Sequence, residues 1–158
     1  MARRYWLFKS EPSAYSLDDL RNEPGQRACW DGVRNYQARN LMRDEMKVGD
    51  RLLFYHSAIK VPAAVGTAEI VREAYPDHTQ FDPRSPYYDA RSSPDQPRWL
   101  MVDIRFLTAF AEPVSLPQIR RLPELSSMLL LKKGCRLSLQ PVEPEAWKII
   151  LDLGRGKK

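Results

Sequence analysis

Between residues 99 and 110 the chain alternates: Leu100, Val102, Ile104 and Phe106 fall on one side, Met101, Asp103 and Arg105 on the other. A side-chain period of two marks a strand with one face against a core, and this is the clearest strand in the sequence. Four other segments read as strands: residues 5–8, 51–57, 63–75 and 136–142. In the third of these, Val65, Thr67, Ile70 and Val71 favour the extended backbone, and Gly66 predicts a bulge of the kind that bends a sheet.

Short helical segments separate the strands. Ser16-Leu17-Asp18-Asp19 has the form of a capping box, with Asp at its third helical position. Ser115 is placed to cap a helix through Ile119, residues 128–133 read as a short apolar helix or turn ending at Gly134, and Pro144 opens a last helix through Leu153. The expected fold is therefore mixed α/β: a curved sheet or β-barrel of about five to six strands with short flanking helices. At 158 residues the chain fits one domain, residues 1–154, followed by the basic tail Arg155-Gly156-Lys157-Lys158.

The stretch from Cys29 to Asn40 carries most of the chemistry. Trp30 precedes Asp31-Gly32, a pair suited to positive φ, and a helix follows in which Arg39 and Arg43 stand one turn apart. Ala38, Leu41, Met42 and Met46 form its apolar face. An aromatic ring, a tight turn, a helix N-terminus and paired arginines are the parts that hold a flat anionic ligand such as a nucleotide. The same residues also admit a plain structural role, with Trp30 in the core, Asn35 as a helix cap and the arginines in solvent.

Charge agrees with an anionic partner. The net charge is +5, and the excess sits at the two ends: residues 1–60 carry 11 Lys and Arg against 8 Asp and Glu, residues 117–158 carry 9 against 4. Residues 61–116 carry 5 against 8, so the middle is acidic. No apolar run approaches the roughly 20 residues of a spanning helix, and no secretory leader is evident. Cys29 and Cys135 are too few for a disulfide framework or a zinc site, which points to a reduced, cytoplasmic location. Residues 76–97 hold five of the thirteen prolines and form a long connection, the kind that serves as a lid or stays disordered.

The order of motifs resembles the EVE domain. The resemblance rests on Tyr5-Trp6-Leu7-Phe8-Lys9-Ser10-Glu11-Pro12, on the run from Trp30 to Asn40, and on Val48-Gly49-Asp50. It is extended by Phe54-Tyr55-His56-Ser57, Tyr87-Tyr88-Asp89, Pro97-Arg98-Trp99 and the segment 136–142, so it covers almost the whole chain in order, in the form of a stand-alone bacterial member. It implies a PUA-like fold, related to YTH and ASCH domains. It also implies a non-catalytic reader that takes a modified base of DNA or RNA out of the stack into a pocket.

A flipped base needs flat faces to replace lost stacking and partners for its polar edge. Trp30 is the first candidate for the stacking face, with Tyr55 and His56 after it. Ser10 and Asn35 are candidates for reading the edge, and Val33 and Ser57 complete the expected base pocket. Lys9, Arg34 and Arg39 are the candidates for phosphate contact. No cofactor and no metal is expected, the partner is DNA or RNA with a modified base, no membrane is involved, and the protein is expected to be a monomer. Two rival classes remain: an enzyme using Cys29 and His56 as nucleophile and base, and a protein-interaction adaptor docking through residues 76–97 or the tail.

Overall fold

The structure is a computed structural model and describes residues 3–135 and 137–156. One six-stranded sheet carries the fold: β1 (Tyr5–Ser10), β2 (Arg27–Cys29), β3 (Arg51–His56), β4 (Ala63–Pro76), β5 (Leu100–Ser115) and β6 (Leu139–Val142). Their order across the sheet is β2-β5-β4-β3-β1-β6. Every neighbouring pair is antiparallel except β1 and β3, which run parallel with Tyr5 opposite Arg51 and Ser10 opposite His56. Parallel strands demand a long crossover. Here it is residues 11–50, which carry α1 (Leu17–Arg21), β2 and α2 (Tyr36–Asp44).

The sheet is curved and open; among the described residues it is not a closed barrel. Its two edges, β2 and β6, are three and four residues long, too short to pair around a circumference. The curvature comes from irregular pairing. The register between β4 and β5 shifts four times, and that between β3 and β4 shifts at Phe54/Tyr55. Gly66 sits at one of these shifts, where a Cβ would collide with the Thr108 carbonyl and the Leu17 side chain. The glycine therefore lets α1 and β5 both close on β4.

Each face of the sheet buries a core. Trp6, Phe8, Leu52, Phe54, Ile70 and Ile104 pack against α1 and α2. On the other face Leu7, Leu53, Tyr55 and Val114 meet Ala146, Trp147 and Ile150 of α4 (Pro144–Gly154). Strand alternation made both faces, because successive side chains of β1 and β3 point to opposite sides. The caps form as the sequence indicates. Ser16 and Asp19 complete a reciprocal capping box, Asn35 accepts from the Ala38 amide at 2.9 Å, and Ser115 caps α3 (Leu116–Arg120).

Three details depart from the sequence reading. Strand β2 was not foreseen, because three residues carry no periodicity. Strand β5 runs past Pro113 to Ser115, since β2 pairs only with residues 103–105 and leaves that flank without a partner needing an N–H. The last strand begins at Leu139, and Arg136 lies outside the described residues, as do Lys157 and Lys158 of the tail.

The long connection before β5 is folded around Gln80, whose side chain is fully buried. Its Nε2 donates to the carbonyls of Asp77 (2.7 Å) and Trp99 (2.8 Å). Its Oε1 accepts from Ser92 Oγ (2.5 Å) and the Trp99 amide (3.0 Å). One amide thus satisfies backbone groups at both ends of the segment, which packs as a fixed flap on the sheet. No helix among the described residues is long and apolar enough to cross a membrane.

Candidate functional site

The parallel strands β1 and β3 end side by side, where the Ser57 amide donates to the Ser10 carbonyl at 2.9 Å. A cleft of about 670 Å³ opens at these ends. Its walls are the turn after β1, the stretch 28–34, Ser57 and the ring of Tyr87. That volume suits one small organic ligand or one nucleobase with its sugar.

Trp30 is anchored from both its backbone and its ring. Its amide donates to the Val102 carbonyl at 2.7 Å, prolonging β2 along β5. The indole is half-buried and set against three rings: Phe8 at 5.2 Å, Phe54 at 5.5 Å edge-on and Tyr15 at 6.3 Å edge-on. Such tilted and edge-to-face contacts fix the plane of the indole while part of it still lines the cleft. One side of the Trp30 ring therefore packs against the core while another lines the cleft.

Beyond Trp30 the chain turns at Gly32, with φ +82°. A Cβ there would stand 2.7 Å from the Tyr87 ring, so only glycine lets that ring lie against the turn. The Gly32 amide donates to Asp77 Oδ2 at 2.8 Å. Arg34 follows with its guanidinium fully engaged: Nη1 with the Val33 carbonyl and Asp77, Nη2 with Thr79 Oγ1 and the Tyr87 carbonyl, Nε again with the Tyr87 carbonyl. Burial alone would raise the Asp77 carboxyl, but hydrogen bonds from Thr79, Gly32 and Arg34 outweigh it and hold it below the usual carboxylate range. Asp31, half-buried in the cleft wall, shifts the other way, pushed up by burial and by the nearby Asp77 charge. The Tyr15 hydroxyl donates to Glu23 at 3.2 Å, and burial followed by the Glu23 charge makes that phenol harder to ionise.

Six of the ten expected site residues line this cleft: Lys9, Ser10, Trp30, Val33, Arg34 and Ser57. The other four do not. Asn35 is committed to the N-terminus of α2. Tyr55 is buried in the opposite core, on the α4 face of the sheet. His56 lies against Phe54, and its Nε2 accepts from the Leu17 amide at 3.1 Å. Arg39 stacks over Tyr36 and reaches the Arg98 carbonyl at 3.0 Å. Arg34, although in the wall, has no N–H left for a phosphate, because all five donors are taken within the protein.

Sequence reasoning did not single out Tyr15, Glu23 or Asp31 as cleft residues. The first two lie in turns without periodic pattern, and only the crossover fold brings them beside Trp30. Tyr87 had a signal, the exposed-aromatic pair Tyr87-Tyr88. Cys29 lines the cleft, but burial and the charges of Asp31 and Asp103 push its thiol up, against the direction a nucleophile needs. His56 is on β3, and two strands, β5 and β4, lie between it and the β2 strand of Cys29 in the sheet order.

An open six-stranded mixed sheet with short flanking helices is the architecture of a PUA-like domain. The chain belongs to the EVE domain family, whose profile matches residues 4–153. It is 44% identical to thymocyte nuclear protein 1 of Mus musculus over 94% of this chain and 73% of that protein. Its fold matches a hypothetical protein from Leishmania major with a TM-score of 0.92 and 42% identity, over 98% of this chain and 96% of the other. It also matches the crystal structure of human THYN1 protein in complex with 5-methylcytosine-containing DNA: TM-score 0.91, 40% identity, 98% of this chain and 99% of that chain.

Proposed function

We propose that this protein is a non-catalytic reader of a modified base, with 5-methylcytosine in DNA as its foremost ligand. The observation that carries the reading is the likeness, over nearly the full length of both chains, to human THYN1 protein in complex with 5-methylcytosine-containing DNA. The cleft supplies what such a ligand requires. Trp30 offers a flat face in place of lost base stacking, worth roughly 1–3 kcal/mol per base. Asp31 and Ser57 offer polar groups for the base edge, and Val33 offers an apolar surface for the methyl group. Burial of one methyl contributes only about 0.8 kcal/mol, so discrimination against unmodified cytosine is modest on that account. Lys9, in the cleft wall, would meet the phosphate backbone, while Arg39, held by Tyr36, Asn40 and the Arg98 carbonyl, joins Arg34, Asn35, Tyr55 and His56 in the frame. The upward push on the Cys29 thiol favours binding over covalent chemistry at this site.

The test is binding of the protein to short duplex and single-stranded DNA and RNA, each with and without methylated bases, at two salt concentrations. Phosphate-driven affinity collapses with salt, whereas pocket recognition falls less. A salt-resistant preference for one methylated base supports the reading and names the polymer. Equal, salt-sensitive binding to every oligonucleotide overturns it.

A further inference from the structure

The connection between β3 and β4 starts at the cleft and carries two exposed apolar side chains. Ser57, its first residue, lines the cleft and is tied to the end of β1. Two residues on, Ile59 is 42% exposed, and Val61 is 51% exposed; they account for two of the six large apolar side chains exposed among the described residues. Lys60 stands between them, also exposed. Ala58 sets the turn in a left-handed conformation, φ +58°, which an L-residue adopts at a cost. Isolated apolar residues on a surface need no explanation. Two β-branched ones on a single strained turn, two and four residues beyond a side chain that lines the cleft, do.

Resting on the reading of the cleft as a base pocket, we infer that residues 58–61 form a wedge that enters a DNA duplex as the read base leaves it. Extrusion of a base leaves a gap in the stack, and its neighbours lose contact unless something apolar fills the space. Proteins that distort duplexes insert Ile, Leu, Met or Phe between base steps for this reason. Ile59 and Val61 supply the apolar filler, and Lys60 meets the phosphates that flank the opened step. Because the tip springs from Ser57, a base seated in the cleft brings the wedge to the vacated position. The partner so defined is double-stranded. A single strand has no gap to fill.

The test compares the wild type with the double variant Ile59→Ser/Val61→Ser on two oligonucleotides of the same sequence, one duplex and one single-stranded, each with a central 5-methylcytosine. The variant is expected to bind the duplex about tenfold more weakly, the order set by base unstacking, and the single strand as tightly as the wild type. A 2-aminopurine next to the methylated base in the duplex is expected to brighten on wild-type binding and to stay dim with the variant. Both residues are exposed, so the variant's thermal melt should match the wild type's, and Lys60→Ala gives an independent duplex-selective loss if it does not. Equal affinity of variant and wild type for the duplex overturns the wedge, as does an equal loss on both oligonucleotides, which marks a general contact. A wild type that prefers no methylated base overturns the cleft reading and the wedge with it; a wild type with that preference and an unaltered variant overturns the wedge alone.

Discussion

The carboxylate of Asp77 accepts from the guanidinium of Arg34 at 3.1 Å, with the Asp77 side chain fully buried and that of Arg34 mostly so. The pair joins the turn after Trp30 to the flap that precedes β5. It gives Arg34 a structural task where the sequence suggested a phosphate contact. Removing one partner of a buried pair leaves the other charge uncompensated, at a cost of roughly 3–5 kcal/mol. Arg34→Met is expected to lower stability by about 3 kcal/mol in urea denaturation. A salt titration of the variant's DNA binding should keep the wild-type slope, whereas loss of a true phosphate contact would reduce that slope by about one.

Trp30 predicts a split between two readouts. Trp30→Ala is expected to abolish preference for the modified base while weak, salt-sensitive binding persists. It should also lower stability by about 3 kcal/mol, because the ring packs on Phe8 and Phe54. Trp30→Phe keeps an aromatic face and should recover most of the stability. Retained preference in a folded Trp30→Ala protein would remove the indole from the recognition site.

His56 predicts a pH dependence. Burial pushes its pKa below the ordinary value, outweighing the nearby Asp18 charge, and Nε2 must be unprotonated to accept from the Leu17 amide. A histidine whose folded pKa is depressed stabilises the fold above its unfolded value, about 6.5, and that contribution is lost as pH falls through the folded value. Melting temperatures should therefore begin to decline below about pH 6.5. In His56→Gln, where the amide oxygen can accept the same hydrogen bond, the decline at this step should vanish.

Gly32→Ala forces a side chain into a left-handed turn and into the Tyr87 ring. The expected loss is about 1–3 kcal/mol, with Tyr87 displaced from the cleft wall. Thermal melting gives the first, and a crystal structure of the variant the second. An unchanged melt would mean that the flap yields freely at that point.

Much of this architecture could be read from residue order. The alternation through β5, the Ser16 capping box, the Asn35 cap and Pro144 at the head of α4 are local signals, and local backbone chemistry decides them. The cleft was legible only in part, because its wall is assembled from positions far apart in sequence. Trp30 and Val33 stood out in one motif, but Tyr15 and Glu23 reach the site only through the crossover between parallel strands. Arg34 shows the limit most plainly. Its residue type suits phosphate, and nothing in the local sequence reveals that Asp77, Thr79 and Tyr87, more than forty positions away, take four of its five donors. The flap was equally opaque, since its order depends on the single buried amide of Gln80.

The brevity of the two outermost strands has a further consequence. A row of free N–H and C=O groups at a sheet margin invites another chain to add a strand, the route to fibrils and swapped assemblies. Here one margin offers three residues and the other four, and the longer one includes Pro141, which has no N–H to give. Of the long strands, β4 lies between β3 and β5, and the flank of β5 that β2 leaves uncovered is interrupted by Pro113, which has no N–H. Copies of the chain can therefore stand close together without their sheets fusing.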